Sequence, residues 1–220
     1  MKLLVPILIG GVGLAALAAG PAGPGPAGAA EAVLPRGAWS AGLHGAYALL
    51  DMADLESALA ATPGADFAAP DRAWEGSLDA RYAFRPEFFV GVEGGYLRGE
   101  AEDRSGVREP VIVSGVPLQL IGGGTIGRWD DLAVRIVGGL GVLLDGAVAT
   151  GGETIASGTG FLATLGGEAE VRLAPGWALS AQALARSAKV TEPGGLDYDL
   201  DFSGASLRLG VRAYPGGARP

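Results

Sequence analysis

The single histidine, His44, and the neighbouring carboxylates Glu168 and Glu170 are the residues that could do acid–base chemistry. Lipid-hydrolase chemistry would need histidine, a serine and an acid in mutual reach. His44 is followed by Gly45 and Ala46, so it opens no H-x-S pair. Arginines of matching strand parity offer Glu168 and Glu170 partners, which favours ion pairing over proton transfer. Asp197, Asp199 and Asp201 form D-Y-D-L-D, three alternate carboxylates of the kind that ligate Ca²⁺ or Mg²⁺. The calcium-loop pattern wants a turn glycine next, and Phe202 stands there instead. A solvated acidic loop is therefore expected, with metal binding the weaker reading. Gly122-Gly123-Gly124 lacks the following motif of a phosphate loop. Cysteine is absent, which excludes disulfides and thiol chemistry. No catalysis and no cofactor are expected.

The charged residues fall at alternate positions of eight segments. These run over Trp39–Leu50, Trp74–Phe84, Phe89–Arg98, Val111–Gly127, Leu132–Asp145, Thr159–Leu173, Ala178–Lys189 and Asp201–Tyr214. In the fifth, Leu132, Val134, Ile136, Leu140, Val142 and Leu144 share one parity. Ala133, Arg135, Val137, Gly139, Gly141, Leu143 and Asp145 share the other. A soluble β-barrel would turn the apolar parity inward and cover its outer wall with charge. Charge here is too sparse for that. The pattern inverts the barrel, with apolar residues in lipid and charged residues in the lumen. Parity then sends Asp79, Glu93, Asp145, Glu168 and Glu170 inward. It sends Arg81, Arg135, Arg172, Arg186, Arg208 and Arg212 inward as well, with His44, Gln119, Ser180 and Gln182. An eight-stranded lumen is just wide enough for side chains to fill. These groups are expected to interlock as a plug, or to form the constriction of a narrow pore.

The connections support this architecture. Arg85-Pro86-Glu87, Arg128 to Asp131 and Ala174-Pro175-Gly176 read as tight turns. Asp51–Arg72, Gly99–Glu109, Gly146–Ala156 and Thr191–Leu200 read as longer loops at the other end. Residues 52–61 in the first loop are helix-prone. Pro117 and the three glycines after Ile121 suggest a bulge in the fourth strand. Trp39, Phe84, Phe88, Phe89, Trp129, Trp177 and Tyr214 fall near the turn-side rim. Tyr47, Trp74, Tyr96, Phe161, Tyr198 and Phe202 fall near the loop-side rim. Two such belts match aromatic rings seated at the two lipid–water boundaries.

Composition agrees. The 220 residues are 49% hydrophobic, with 39 glycines. Beyond the N-terminus no apolar run approaches the roughly 18 residues of a membrane helix. Lys2 followed by the apolar stretch 3–19 reads as a cleavable signal peptide, and 20–30 as an Ala/Gly/Pro linker. Residues 37–214 form the barrel domain, and 215–220 a short tail. The net charge of −8 argues against nucleic-acid binding. Acids gather in the loops: Asp51, Asp54, Glu56, Asp66 and Asp71 in the first, Glu100, Glu102, Asp103 and Glu109 in the second. Divalent cations are expected partners there.

The signal peptide, the strand and loop rhythm, and Gly-rich strands such as Val90 to Tyr96 and Val137 to Val142 resemble the small eight-stranded outer-membrane barrels. These are OmpA-type barrel domains, OmpX and opacity-type proteins. The last strand, Leu207 to Tyr214, carries the resemblance too, although Tyr214 is not the final residue as in those families. The resemblance implies an all-β, eight-stranded, antiparallel, up-and-down transmembrane barrel in a Gram-negative outer membrane. It implies a monomer whose partner is outer-membrane lipid. The role expected is structural or surface-interacting, through acidic outer loops toward a partner the sequence does not name. A narrow channel or OmpW-like passage for small hydrophobic molecules is the alternative, and a lipid-modifying enzyme the third. The full chain is predicted to fractionate with the outer membrane and to change gel mobility on boiling. Recovery as a soluble protein without that change would turn the barrel inside out.

Overall fold

Alternation of apolar and polar side chains gives each segment one face for lipid and one for the interior, so the chain builds strands. The computed structural model describes residues 37–61, 66–67, 71–104, 106, 108–191, 193–194 and 198–215. The signal and linker expected over 1–30, and residues 216–220 of the expected tail, lie outside the described residues. The elements are β1 (Ala38–Leu50), α1 (Ala53–Ala60), β2 (Arg72–Ala83), β3 (Phe88–Ala101), β4 (Val111–Trp129), β5 (Leu132–Thr150), β6 (Glu153–Ala174), β7 (Trp177–Val190), β8 (Leu200–Asp201) and β9 (Gly204–Ala213). β8 and β9 form one stave, interrupted at Phe202 and Ser203. Each stave pairs antiparallel with its chain neighbour, and β9 closes onto β1. The result is an eight-staved up-and-down barrel, whose closure pairs the backbone groups that a bilayer could not satisfy.

The outside is apolar. Leu120 is 69% exposed, Leu209 66% and Leu140 62%. A continuous band of this kind is far larger than the apolar patches that water-exposed surfaces carry, so lipid must cover it. Trp39, Phe84, Phe88, Trp129 and Trp177 are exposed at the turn-side rim, and Trp74, Tyr96 and Phe161 at the loop-side rim. Three aromatics depart from the expected belts. Phe89, Tyr214 and Phe202 are buried. Phe89 has the inward parity of β3, and Phe202 and Tyr214, just outside the ends of β9, continue the inward parity of Gly204 and Arg212.

The fifth connection also differs from expectation. Gly146–Ala156 is not a loop. β5 runs on to Thr150 and β6 begins at Glu153, and they join through Gly151 and Gly152 at φ +60° and +78°. Two successive left-handed residues are what a type I′ hairpin turn demands, and glycine adopts them without steric cost. β5 has 19 residues and β6 has 22. Since about 9–11 residues cross a bilayer, this hairpin rises beyond it on the loop side.

Register shifts in the β4–β5 pairing lie between Ser114 and Val116 and between Thr125 and Gly127, to either side of Pro117 and the glycine run. The glycines themselves stay in the ladder. A third shift, between Leu143 and Gly146, overturns the inward placement of Asp145. Asp145 takes a φ of +48° and is exposed, because the bulge interrupts the alternation.

Inside the loop-side half, side chains are apolar. Leu50, Leu97, Val113, Leu143, Leu162 and Phe202 pack together there, with Leu55 of α1 and Met52 just before it in the same cluster. Tyr198 packs against this cluster, and burial, with the charge of Asp54 second, pushes its phenol above the usual tyrosine range. Leu140→Arg is expected to destabilise the barrel by about 2–4 kcal/mol, the cost of an arginine near the bilayer midplane. Thr159→Arg, one step beyond Phe161 on the same face, should cost about 0–1 kcal/mol. Urea titration of the protein folded into lipid vesicles measures both, and equal costs would refute the lipid-facing assignment.

Candidate functional site

Below the apolar half, the turn-side half of the lumen is filled with charge. Five carboxylates (Glu75, Asp79, Glu93, Glu168, Glu170) face five guanidiniums (Arg81, Arg135, Arg186, Arg208, Arg212), all buried. Inward parity on β2, β3, β5, β6, β7 and β9 delivers them. They divide into two tiers along the axis.

The tier nearer the turns centres on Glu168. Arg81 donates to both of its oxygens, each at 2.8 Å, in a bidentate fork. Arg135 donates to Glu168 at 3.0 Å and to Glu170 at 2.9 Å. Gln182 donates to it at 2.7 Å. Arg212 grips Asp79 through two nitrogens, at 2.7 and 3.0 Å, and reaches Glu170 at 3.1 Å. Arg81 donates to Asp79 at 2.9 Å and stacks 4.5 Å above the Phe89 ring. Tyr214 donates its hydroxyl to Glu170. In the second tier Arg208 bridges Glu93 at 2.7 Å and Glu75 at 2.8 Å. Arg186 also donates to Glu75. Gln119 donates to Glu93 and accepts from Thr164, both at 2.9 Å.

Close packing makes room for these tiers only because some inward positions carry no side chain. A Cβ on Gly42 would stand 2.9 Å from Arg212 Nη2 and 2.7 Å from the His44 ring. One on Gly210 would strike the His44 ring and the Leu43 carbonyl. At the turn-side mouth a recess between Ser40, Arg81, Phe89, Arg135, Arg212 and Tyr214 keeps a free volume of about 10 Å³, room for a single water.

The structure brings together Asp79, Arg81, Glu93, Arg135, Glu168, Glu170, Arg186, Arg208 and Arg212, as the parity predicts. Arg172 does not join them. Its β6 position lies past the end of the lumen, and it pairs instead with Asp131 of the β4–β5 turn at 3.5 Å. Glu75 is the residue that sequence reasoning missed. It shares the parity of Ser77, Asp79 and Arg81, so extending that count by one step would have found it.

His44 lies between a serine and an acid. Its Nε2 is 3.1 Å from Ser180 Oγ, and its Nδ1 is 3.4 Å from Asp79 Oδ2. These are the groups of a hydrolytic triad. Ser180 is fully buried, however, and Asp79 is already held by Arg81 and Arg212. A lipid carbonyl has no approach to this serine among the described residues. Of the D-Y-D-L-D carboxylates, two lie among the described residues. Asp199 pairs with Lys189 at 2.8 Å, Asp201 accepts the Ser203 backbone N–H at 2.8 Å, and Asp197 lies outside the described residues.

No protein-family model and no curated protein sequence matches this chain. Solved structures are similar to it. Neisserial surface protein A aligns over 80% of this chain and 96% of its own, at 11% identity and a TM-score of 0.52. The attachment invasion locus protein of Yersinia pestis aligns over 81% and 98%, at 14% identity and 0.49. OprG of Pseudomonas aeruginosa, an outer membrane protein, aligns over 83% and 98%, at 14% identity and 0.48. At such identities the likeness is one of fold. A small eight-stranded outer-membrane β-barrel is the class that this fold and its lipid-facing exterior define.

Glu168→Gln would leave Arg81 and Arg135 short of a buried counter-charge and should destabilise by about 3–5 kcal/mol. Arg172→Gln, which removes a rim pair, should cost no more than about 1 kcal/mol. Chemical unfolding from vesicles separates the two, and similar losses would contradict the pairing geometry.

Proposed function

We propose that this chain is a non-conducting, non-catalytic barrel of the outer membrane that presents its loop-side surface for contact. The observation that carries this reading is the closed interior. Two tiers of paired charges fill one half of the lumen, and an apolar cluster under α1 fills the other. A solute would have to part both.

Surface contact is the role left to a plugged barrel, and the loop side is built for it. The β5–β6 hairpin projects beyond the membrane. The first and second loops are joined: Asp103 accepts the Asp66 backbone N–H at 3.2 Å, and a β-bridge links Phe67 to Asp103. A linked, acidic outer surface suits a basic partner or one bridged by divalent cations. Passage of small hydrophobic molecules is the second reading, and the apolar loop-side cluster favours it. It would require α1 and Phe202 to move aside.

In planar bilayers the wild-type chain is expected to show no steady single-channel conductance; steady openings would refute the plug. The chain has no native cysteine, which allows a clean topology test. Glu153→Cys should react with a membrane-impermeant maleimide on intact cells, whereas Asp130→Cys should not. The reverse labelling pattern would place the hairpin on the inner side and defeat the surface role.

A further inference from the structure

Three cations stand on the outward face of the loop-side strand ends: Arg72, Arg98 and Lys189. Arg72 has Asp71 at 3.6 Å, and Lys189 has Asp199 at 2.8 Å. Arg98 has no ion-pair or hydrogen-bond partner among the described residues. It follows Val92, Gly94 and Tyr96 on the lipid-facing parity of β3 and lies directly across from Trp74. An arginine that faces lipid is costly unless its head reaches the interface, where water and headgroup anions can meet it. Glu100, two residues loopward, forms no ion pair with it. A lipid headgroup at this level is in position to supply the counter-ion.

A notch lies just below Arg98. Gly45 of β1 and Gly76 of β2 are directly paired on the outer face, with open space where side chains would project. Tyr47 and Trp74 wall it on the loop side, their rings 5.3 Å apart, with Trp74 71% exposed. The Leu43–Leu78 pair walls it on the turn side. Leu209 and Tyr96 flank it, as the cross-strand neighbours of Gly45 and Gly76. The notch sits one rung inside the aromatic belt, about 7 Å along the strand from Tyr47. That is the depth of the first methylenes below a headgroup.

We propose that Arg98 and the Gly45–Gly76 notch form one binding site for a phosphate-bearing lipid of the loop-side leaflet. The phosphate accepts from the Arg98 guanidinium, with the hydroxyl of Ser114, its cross-strand neighbour on the same face, as a second donor. One acyl chain lies in the notch against Trp74. Charge complementarity selects an anionic lipid over a zwitterionic one, and the glycine floor selects a chain over the bare headgroup. The inference rests on the membrane reading above.

The full-length protein would be reconstituted in phosphatidylcholine nanodiscs doped with diphosphoryl lipid A or with its phosphate-free analogue. Lipid that survives detergent extraction would be counted by native mass spectrometry. The wild-type chain should retain the diphosphoryl lipid preferentially. Arg98→Gln should lower that retention about tenfold, the scale of one charge-assisted hydrogen-bonded contact, while Arg98→Lys should keep most of it. Gly45→Leu with Gly76→Leu should lower retention of both lipids alike. Equal retention of the two lipids by wild type, or retention unchanged in Arg98→Gln, would overturn the site. Boiled and unboiled gel mobility is read for every variant. A wild-type chain without the heat-dependent shift would overturn the membrane reading and this inference with it.

Discussion

The rest of the structure depends on charge neutrality inside the lumen. Burying an unpaired guanidinium or carboxylate costs several kcal/mol. Five of each can share a space this narrow only if every one finds a partner. The pairs they form run across the barrel as well as around it. Asp79 on β2 meets Arg212 on β9, which meets Glu170 on β6, which meets Arg135 on β5. Glu75 on β2 joins Arg208 on β9 and Arg186 on β7. These contacts tie opposite walls together. They also fix strand register, because a slip of one residue would send every charge into lipid.

The inward glycines are a consequence of the same constraint. A barrel of this diameter has no volume for bulky residues at every inward position alongside five arginines. Gly42 and Gly210 give up side chains where the His44 ring and Arg212 pass close. Glycine abundance therefore records close packing of the lumen and does not signal flexibility. The loop-side half solves the same filling problem with Leu, Val and Phe. That division leaves a polar floor toward the turns and an apolar ceiling toward the loops. A buried Ser180–His44–Asp79 arrangement arises within the floor, with a hydrogen bond between His44 and Ser180 and Asp79 3.4 Å from the other ring nitrogen. All three side chains are enclosed by the lumen wall.

Much of this was legible in the sequence because the strand period is two. Parity alone placed nine of the ten paired charges, and the missed one, Glu75, obeys the same parity. The departures lie where a rim position or a local composition competes with parity. Phe89, Phe202 and Tyr214 lie near a rim, yet the alternation points them inward. The Gly146–Ala156 segment has the glycine and threonine content of a loop. The hydrogen-bond ladder instead carries both strands through it to a two-glycine turn.

The sequence by itself determined the fold class, the inverted polarity of the two faces and most of the membership of the lumen network. Alternation is a local property, written residue by residue, and it survives without knowledge of any partner. Tertiary structure decided what depends on register between strands. It decided which arginine meets which carboxylate, that Arg172 falls past the end of the lumen, and that a bulge turns Asp145 outward. It also set Gly45 beside Gly76, with Arg98 across from Trp74. These are relations between residues far apart in the chain, and they exist only once the barrel closes and the staves come into register.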